Sequence, residues 1–274
     1  MKFDLDTAWK DTSRLLRDNF GLLAVIAGVF FFIPYAAIMI GIPGMAEIGQ
    51  MQGDPGSEAM EAAILDLYGS YWWVFLLMAI VQGIGMLALL ALLRHRDRPT
   101  VGDAIKTGVS AFLAYFGAQI LQTLALIGVA FVLVGVPIAA GLGAIAFLTA
   151  ILAIVAVAYI ATKFSLASPV IAIDGERNPI NALSRSWRLT KGNSVRLFFF
   201  YLLILVAFII VSAVFSLVVT LIFAFGGPDV MLFGTSIVSS AVNAFFIMLM
   251  ACILAAVHMQ MTRLKNTGGV EPEA

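Results

Sequence analysis

Cysteine occurs once in the 274 residues, at Cys252, and histidine twice, at His95 and His258. A single cysteine excludes a disulfide framework and a thiolate metal site, and it reads as a small core residue. Two histidines with no carboxylate at ligand spacing make a poor metal or acid–base site, and both read as interfacial. Charge is also scarce, at 12% of residues, against about 25% in a soluble domain. The scarcity is uneven. Six stretches, roughly 20–42, 71–93, 111–135, 138–162, 197–225 and 231–262, carry no Asp, Glu, Lys or Arg. Proton relays and voltage sensors place ionisable groups inside the membrane, so their absence argues against coupled transport through buried acids.

What is present is apolar length. Hydrophobic residues make up 62% of the chain, and each run exceeds the roughly 20 residues that cross a bilayer core. The runs must be helices, because lipid cannot satisfy a bare backbone, and the short alternating strands of a membrane β-barrel are missing. All 16 basic residues lie at the two ends of the chain and in the second and fourth gaps between runs: Lys2, Lys10, Arg14 and Arg17; Arg94, Arg96, Arg98 and Lys106; Lys163, Arg177, Arg185, Arg188, Lys191 and Arg196; Arg263 and Lys265. The other gaps carry Glu47, Asp54, Glu58, Glu61, Asp66 and Asp229 and no base. This is the positive-inside pattern of an all-α polytopic membrane protein with six transmembrane helices and both termini cytoplasmic. The first run follows a charged segment and is too long for a signal-peptide core, so it is expected to stay as a span.

The order of segments repeats. Ala8-Trp9-Lys10 leads to Asn19-Phe20-Gly21 and the first span; Ala104-Ile105-Lys106 leads to Tyr115-Phe116-Gly117 and the third; Ala182-Leu183-Ser184 leads to Asn193 and the fifth. The expectation is one transmembrane domain over 1–262, in three repeats of about 3–95, 100–163 and 178–262, with a short tail over 263–274. Each repeat opens with an amphipathic helix on the inner surface, followed by a two-helix hairpin. The first helix puts Leu5, Ala8, Trp9, Thr12 and Leu15 on one face and Lys10, Arg14 and Arg17 largely on the other. In the second, Thr100 caps with Asp103 at N3. In the third, Asn178 caps, Pro179 takes the first turn and Gly192 stops the helix; Ile180, Leu183 and Trp187 form its apolar stripe. On the opposite side, a small helix is expected over the second half of 43–70. Turns are expected at Gly135-Val136-Pro137 and Gly226-Gly227-Pro228-Asp229.

The segment from Ser168 to Asn193 carries a resemblance. Pro169, Asp174, Glu176, Ala182, Leu183, Ser186, Trp187, Leu189, Thr190, Lys191 and Gly192 follow a pattern of a proline after a span, a short acidic turn, and an Ala-Leu…Ser-Trp…Leu-Thr-Lys-Gly helix. This resembles the signature of the bacterial glycerophosphoryl diester phosphodiesterase membrane-domain family. The six-span layout agrees over about the whole chain. The resemblance implies a bacterial inner-membrane protein. In fused members a separate soluble barrel performs hydrolysis; the tail from Arg263 to Ala274 has no room for it, so that chemistry is not carried over.

The residues leave these sites to weigh. Arg185, Arg188 and Lys191 form a basic stripe that, with Trp187, could hold a lipid head group, or could serve simple anchoring. Asp174 and Glu176 could do acid–base work, or could cap a helix and pair with Arg177, Arg185 or Arg188. Gln82, Gln119, Gln122 and Asn243 are polar groups inside spans that could join helices or line a substrate path. With no nucleophile–base or metal constellation and no cofactor motif, the expected function is non-enzymatic. The chain would bind or organise anionic phospholipids, or scaffold a membrane or envelope protein partner, and nucleic acid is not an expected partner. The alternative is a transporter or channel-like protein for a small lipid-related or amphipathic substrate.

Overall fold

The computed structural model describes residues 2–42, 45, 58–94 and 99–267. Glu47, Asp54, His95, Arg96, Arg98 and the tail beyond 267 lie outside the described residues. Among the described residues the fold is all helix, and six helices are long and apolar enough to cross a membrane.

Helix α1 is unbroken over Leu5–Gly41, so the expected surface helix and the first span are one rod. At 1.5 Å per residue it is about 55 Å long, well beyond the roughly 30 Å hydrocarbon core. Its N-terminal half does not lie apart on the membrane surface. Ala8, Thr12, Leu15 and Leu23 are buried, and α1 packs along the last helix, α8 (Gly227–Thr267). Part of the stripe expected to meet lipid therefore meets protein, while Leu5 and Trp9 stay exposed. Asp4 caps α1, accepting from the Asp6 N–H and the Thr7 hydroxyl, and these bonds hold its carboxyl below the usual carboxylate range.

Helix α2 (Glu58–Leu92) kinks at Tyr71. The expected small helix before the second span is helical, but it continues into the span through that kink. Helix α3 (Val101–Ala139) is again one rod, opened by the Thr100–Asp103 capping box. The second expected surface helix is thus also part of its span. Both α1 and α3 contain a π turn, Gly28–Phe32 and Phe131–Gly135, shortly before Pro34 and Pro137. A proline inside a helix removes one N–H and crowds the carbonyl four residues back. The wider turn re-spaces that carbonyl and lets the helix run on. The chain consequently passes straight through Gly135-Val136-Pro137. It turns instead after Ala139, where Gly141 takes a left-handed φ of 72°.

Helix α4 (Gly143–Phe164) returns to the basic end and breaks at Ser165-Leu166. A short helix, α5 (Ala167–Ala172), follows with Val170, Ile171 and Ala172 fully covered by α2, α3, α6 and α8. Helix α6 (Pro179–Thr190) is the one expected inner-surface helix that stands apart from its span. Asn178 Oδ1 accepts from the Ile180 and Asn181 N–H groups at its start, and Gly192, with φ 89°, turns the chain into α7 (Ser194–Phe223). Its buried stripe is Ala182, Leu183, Ser186, Leu189 and Thr190, while Ile180 and Trp187 face outward. Of the expected apolar stripe only Leu183 turns inward, and the small Ala182 and Ser186 beside it let α6 approach α5 closely.

The core is centred on the basic end of α2, where Leu87 to Leu93 are all buried. Small residues of α3, Ala104, Gly108, Ala111, Ala114 and Ala118, face it. A Cβ on Gly108 would fall 2.6 Å from the Ile84 carbonyl oxygen, so only glycine allows this approach.

Candidate functional site

Four parts of the chain meet at the basic end, and their polar groups are tied to one another. The Phe3 N–H donates to Asn193 Oδ1 at 2.8 Å, and Arg196 donates to the Phe3 carbonyl at 3.0 Å. Gln260 donates to the Asp4 carbonyl, and Asp11 sits 2.8 Å from Arg14 and 3.8 Å from Arg263. The Ser186 hydroxyl donates to the Lys163 carbonyl at 2.7 Å and accepts the Leu166 N–H at 3.1 Å. It thereby bridges the break between α4 and α5.

The candidate basic stripe divides. Arg185 turns to Asp174, with Nη2 2.8 Å from Oδ2. The same oxygen lies 3.0 Å from Nε2 of the buried His258 on α8, 84 residues away. This three-way tie fastens the α5–α6 turn to α8. The second ring nitrogen of His258, Nδ1, has no hydrogen-bond partner among the described residues. Glu176 is not in the cluster; its carboxylate accepts the Asn178 N–H and shapes the turn. No group of three or more His, Cys, Asp or Glu suited to a metal occurs among the described residues.

Arg188 and Lys191 remain exposed and have no carboxylate partner among the described residues. Beside them is a cation that the spacing did not single out. Lys163, at the end of α4, is 2% exposed. Its ammonium sits 5.2 Å from the Trp187 ring centre and 5.4 Å from that of Tyr159. The two rings meet edge to face at 6.0 Å, and the Phe164 ring lies 5.6 Å from that of Trp187. Lys191 and Lys265 are close enough to add to the positive field there. The fold gathers three lysines and two aromatic rings at this corner, and among the described residues no carboxylate pairs with Lys163. The sequence signal was a lysine at the end of a span, four residues after a tyrosine. The placement of Trp187 over it comes from the fold.

The intramembrane candidates do not come together. Gln82, Gln119 and Gln122 are half-buried, and no hydrogen bond joins them to one another or to Asn243. Asn243 instead lines a cleft of about 380 Å³ between α1, α7 and α8, in the half of the bundle away from the basic end. Ser212, Ser216 and Thr220 enter it from α7, Thr235, Ser239 and Asn243 from α8, and Tyr35 from α1. Each trio is spaced four residues apart and so lies on one helix face. That four-residue spacing is present in the sequence itself. Below the cleft, Phe208 and Phe246 stack with ring centres 3.5 Å apart.

No curated protein and no solved structure matches the chain. Residues 5–261, which cover five of the membrane-capable helices and most of the sixth, match the family described as a domain of unknown function (DUF7847), and the chain belongs to that family.

Proposed function

We propose that the chain is a non-enzymatic integral membrane protein that binds the phosphate of anionic phospholipids at its basic end. One observation carries the reading: Lys163 is 2% exposed, its ammonium lies over Trp187 and Tyr159 with Lys191 and Lys265 near it, and no carboxylate is paired to it among the described residues. Buried charges are stable when paired, so an anion from outside the chain would complete this corner. A lipid phosphate suits three ammonium donors. Trp187 and Tyr159, both partly exposed, fit the level of the head groups. Arg188 extends the same positive surface, whereas Arg185 is committed to Asp174. The charge split supports a cytoplasmic placement of this end and of both termini, facing the anionic leaflet, where each base contributes roughly 1 kcal/mol of attraction. The likeness of Ser168 to Asn193 to the glycerophosphoryl diester phosphodiesterase membrane-domain signature supports a bacterial inner-membrane setting.

The test is native mass spectrometry of the gently extracted protein. Wild type should carry phosphatidylglycerol or cardiolipin. Lys163→Met should lower that retention about tenfold, the scale of one charge-assisted hydrogen bond, and Lys163→Arg should restore most of it. Arg185→Gln should retain lipid as wild type does. Equal retention by Lys163→Met, or by a Lys191→Gln, Lys265→Gln double variant, would sink the proposal. A thermal unfolding curve for each variant separates lost binding from lost fold.

A further inference from the structure

The cleft between α7 and α8 holds hydroxyls that the fold itself does not use. Elsewhere in the spans Thr149, Thr162 and Ser240 donate to a carbonyl four residues back. That is the ordinary solution where no water is at hand. Thr235 does the same at the rim of the cleft. Ser212, Ser216, Thr220 and Ser239 make no such bond, and Ser212 Oγ is buried with no partner. An unmet hydroxyl in a low-dielectric setting costs about 1–3 kcal/mol, so a guest that meets several of them would bind.

Three features describe that guest. No charged residue lines the cleft, so its head is neutral. The lining polar groups are hydroxyls and one amide, which donate and accept alike, so the head carries hydroxyl or amide groups. Finally, the cleft runs on into an apolar groove of about 290 Å³ that shares Phe208, Ser212 and Val242 with it and continues past Ile204, Phe246 and Leu249. A hydrocarbon chain fits that groove. The two volumes together fall in the ordinary range for small-molecule sites.

We propose that this cleft and groove form a binding site for an uncharged single-chain amphiphile. Its hydroxyl- or amide-bearing head would lie among Ser212, Ser216, Ser239 and Asn243, and its chain between α7 and α8 beside Phe208. The polar cleft lies away from the basic corner, and the groove runs from it toward Trp9 of α1; the cleft recognises a neutral head where the corner recognises a phosphate.

The full chain in phosphatidylcholine nanodiscs can be photolabelled with a monoacylglycerol bearing a diazirine in its acyl chain. Labelling should concentrate on residues 204–212 and 242–249. Excess unlabelled monoacylglycerol should remove it, and phosphatidic acid should not. A Ser216→Ala, Ser239→Ala double variant should lower it about tenfold, the scale of one or two lost hydrogen bonds, and Ser212→Phe should block the cleft outright. Lys163→Met should leave it unchanged. Labelling spread over all lipid-facing helices, equal competition by phosphatidic acid, or indifference to the serine variants would each overturn the proposal. Because the serines changed in the double variant bond to nothing in the protein, its unfolding midpoint should match wild type, so a loss of labelling reports binding.

Discussion

The two halves of this bundle treat polar groups in opposite ways. At the basic end, side chains far apart in sequence are locked together: Phe3 to Asn193, Asp174 to Arg185 and His258, Ser186 to both sides of the α4–α5 break. In the other half, the α7–α8 cleft keeps a row of hydroxyls with no protein partner. The contrast separates polar groups that build from polar groups that are available. A hydroxyl spent on a neighbouring carbonyl contributes to stability. One left unspent in lipid costs free energy and is tolerated where something else meets it.

That comparison can be broken by substitution. The largest effect is expected where packing is tightest. Gly108→Val would drive a side chain onto the Ile84 carbonyl, which cannot move aside as a side-chain tip could, and should cost about 3 kcal/mol. A midpoint within a degree or two of wild type in detergent would show that α2 and α3 are not this close. Next comes Ser186→Ala, which leaves the buried Leu166 N–H and Lys163 carbonyl without their partner and should cost about 1–3 kcal/mol. Unfolding by denaturant reads this directly, and a neutral outcome would remove Ser186 as the bridge between α4 and α5. Asp174→Ala should cost less, about 1–2 kcal/mol, because Arg185 is 42% exposed and can turn to water, leaving His258 as the main loser. Paired with His258→Ala in a double-mutant cycle, the two losses should be clearly less than additive; full additivity would mean the pair does not act together. The smallest effect belongs to the cleft. Ser216→Ala and Ser239→Ala should each fall within about 0.5 kcal/mol of wild type, since no bond within the protein is lost. A loss as large as that of Ser186→Ala would erase the distinction between the two halves.

Much of the architecture was legible in the residues. The six apolar runs, the Thr100–Asp103 box, the Asn178 cap and the Gly192 stop each depend on a short stretch of chain, and each appears where the pattern puts it. The continuous rods α1 and α3 were not legible, because an amphipathic stripe looks the same whether lipid or another helix covers it. Nor was the turn after Ala139, since the π turn before Pro137 lets the helix pass a residue that usually ends one. The candidate sites were legible in composition more than in partnership. Arg185 shares a stripe with Arg188 and Lys191 in the sequence, yet its nearest charge is Asp174, and nothing in the pattern separates Lys163 from the other bases.

The sequence by itself determined that this chain is helical, that six segments can cross a membrane, and that its bases fall only at the chain ends and in alternate gaps between those segments. These properties follow from how each segment must be solvated, segment by segment, with no knowledge of its neighbours. Only the tertiary structure decided which polar groups are consumed and which are left over. The trios Ser212, Ser216, Thr220 and Thr235, Ser239, Asn243 are each a stripe by sequence, but they form a cleft only because α7 and α8 turn those faces toward a shared space. Lys163, Trp187 and Lys265 make a corner for the same reason. Periodicity fixes the face of a helix on which a residue lies, and packing between helices decides what that face meets.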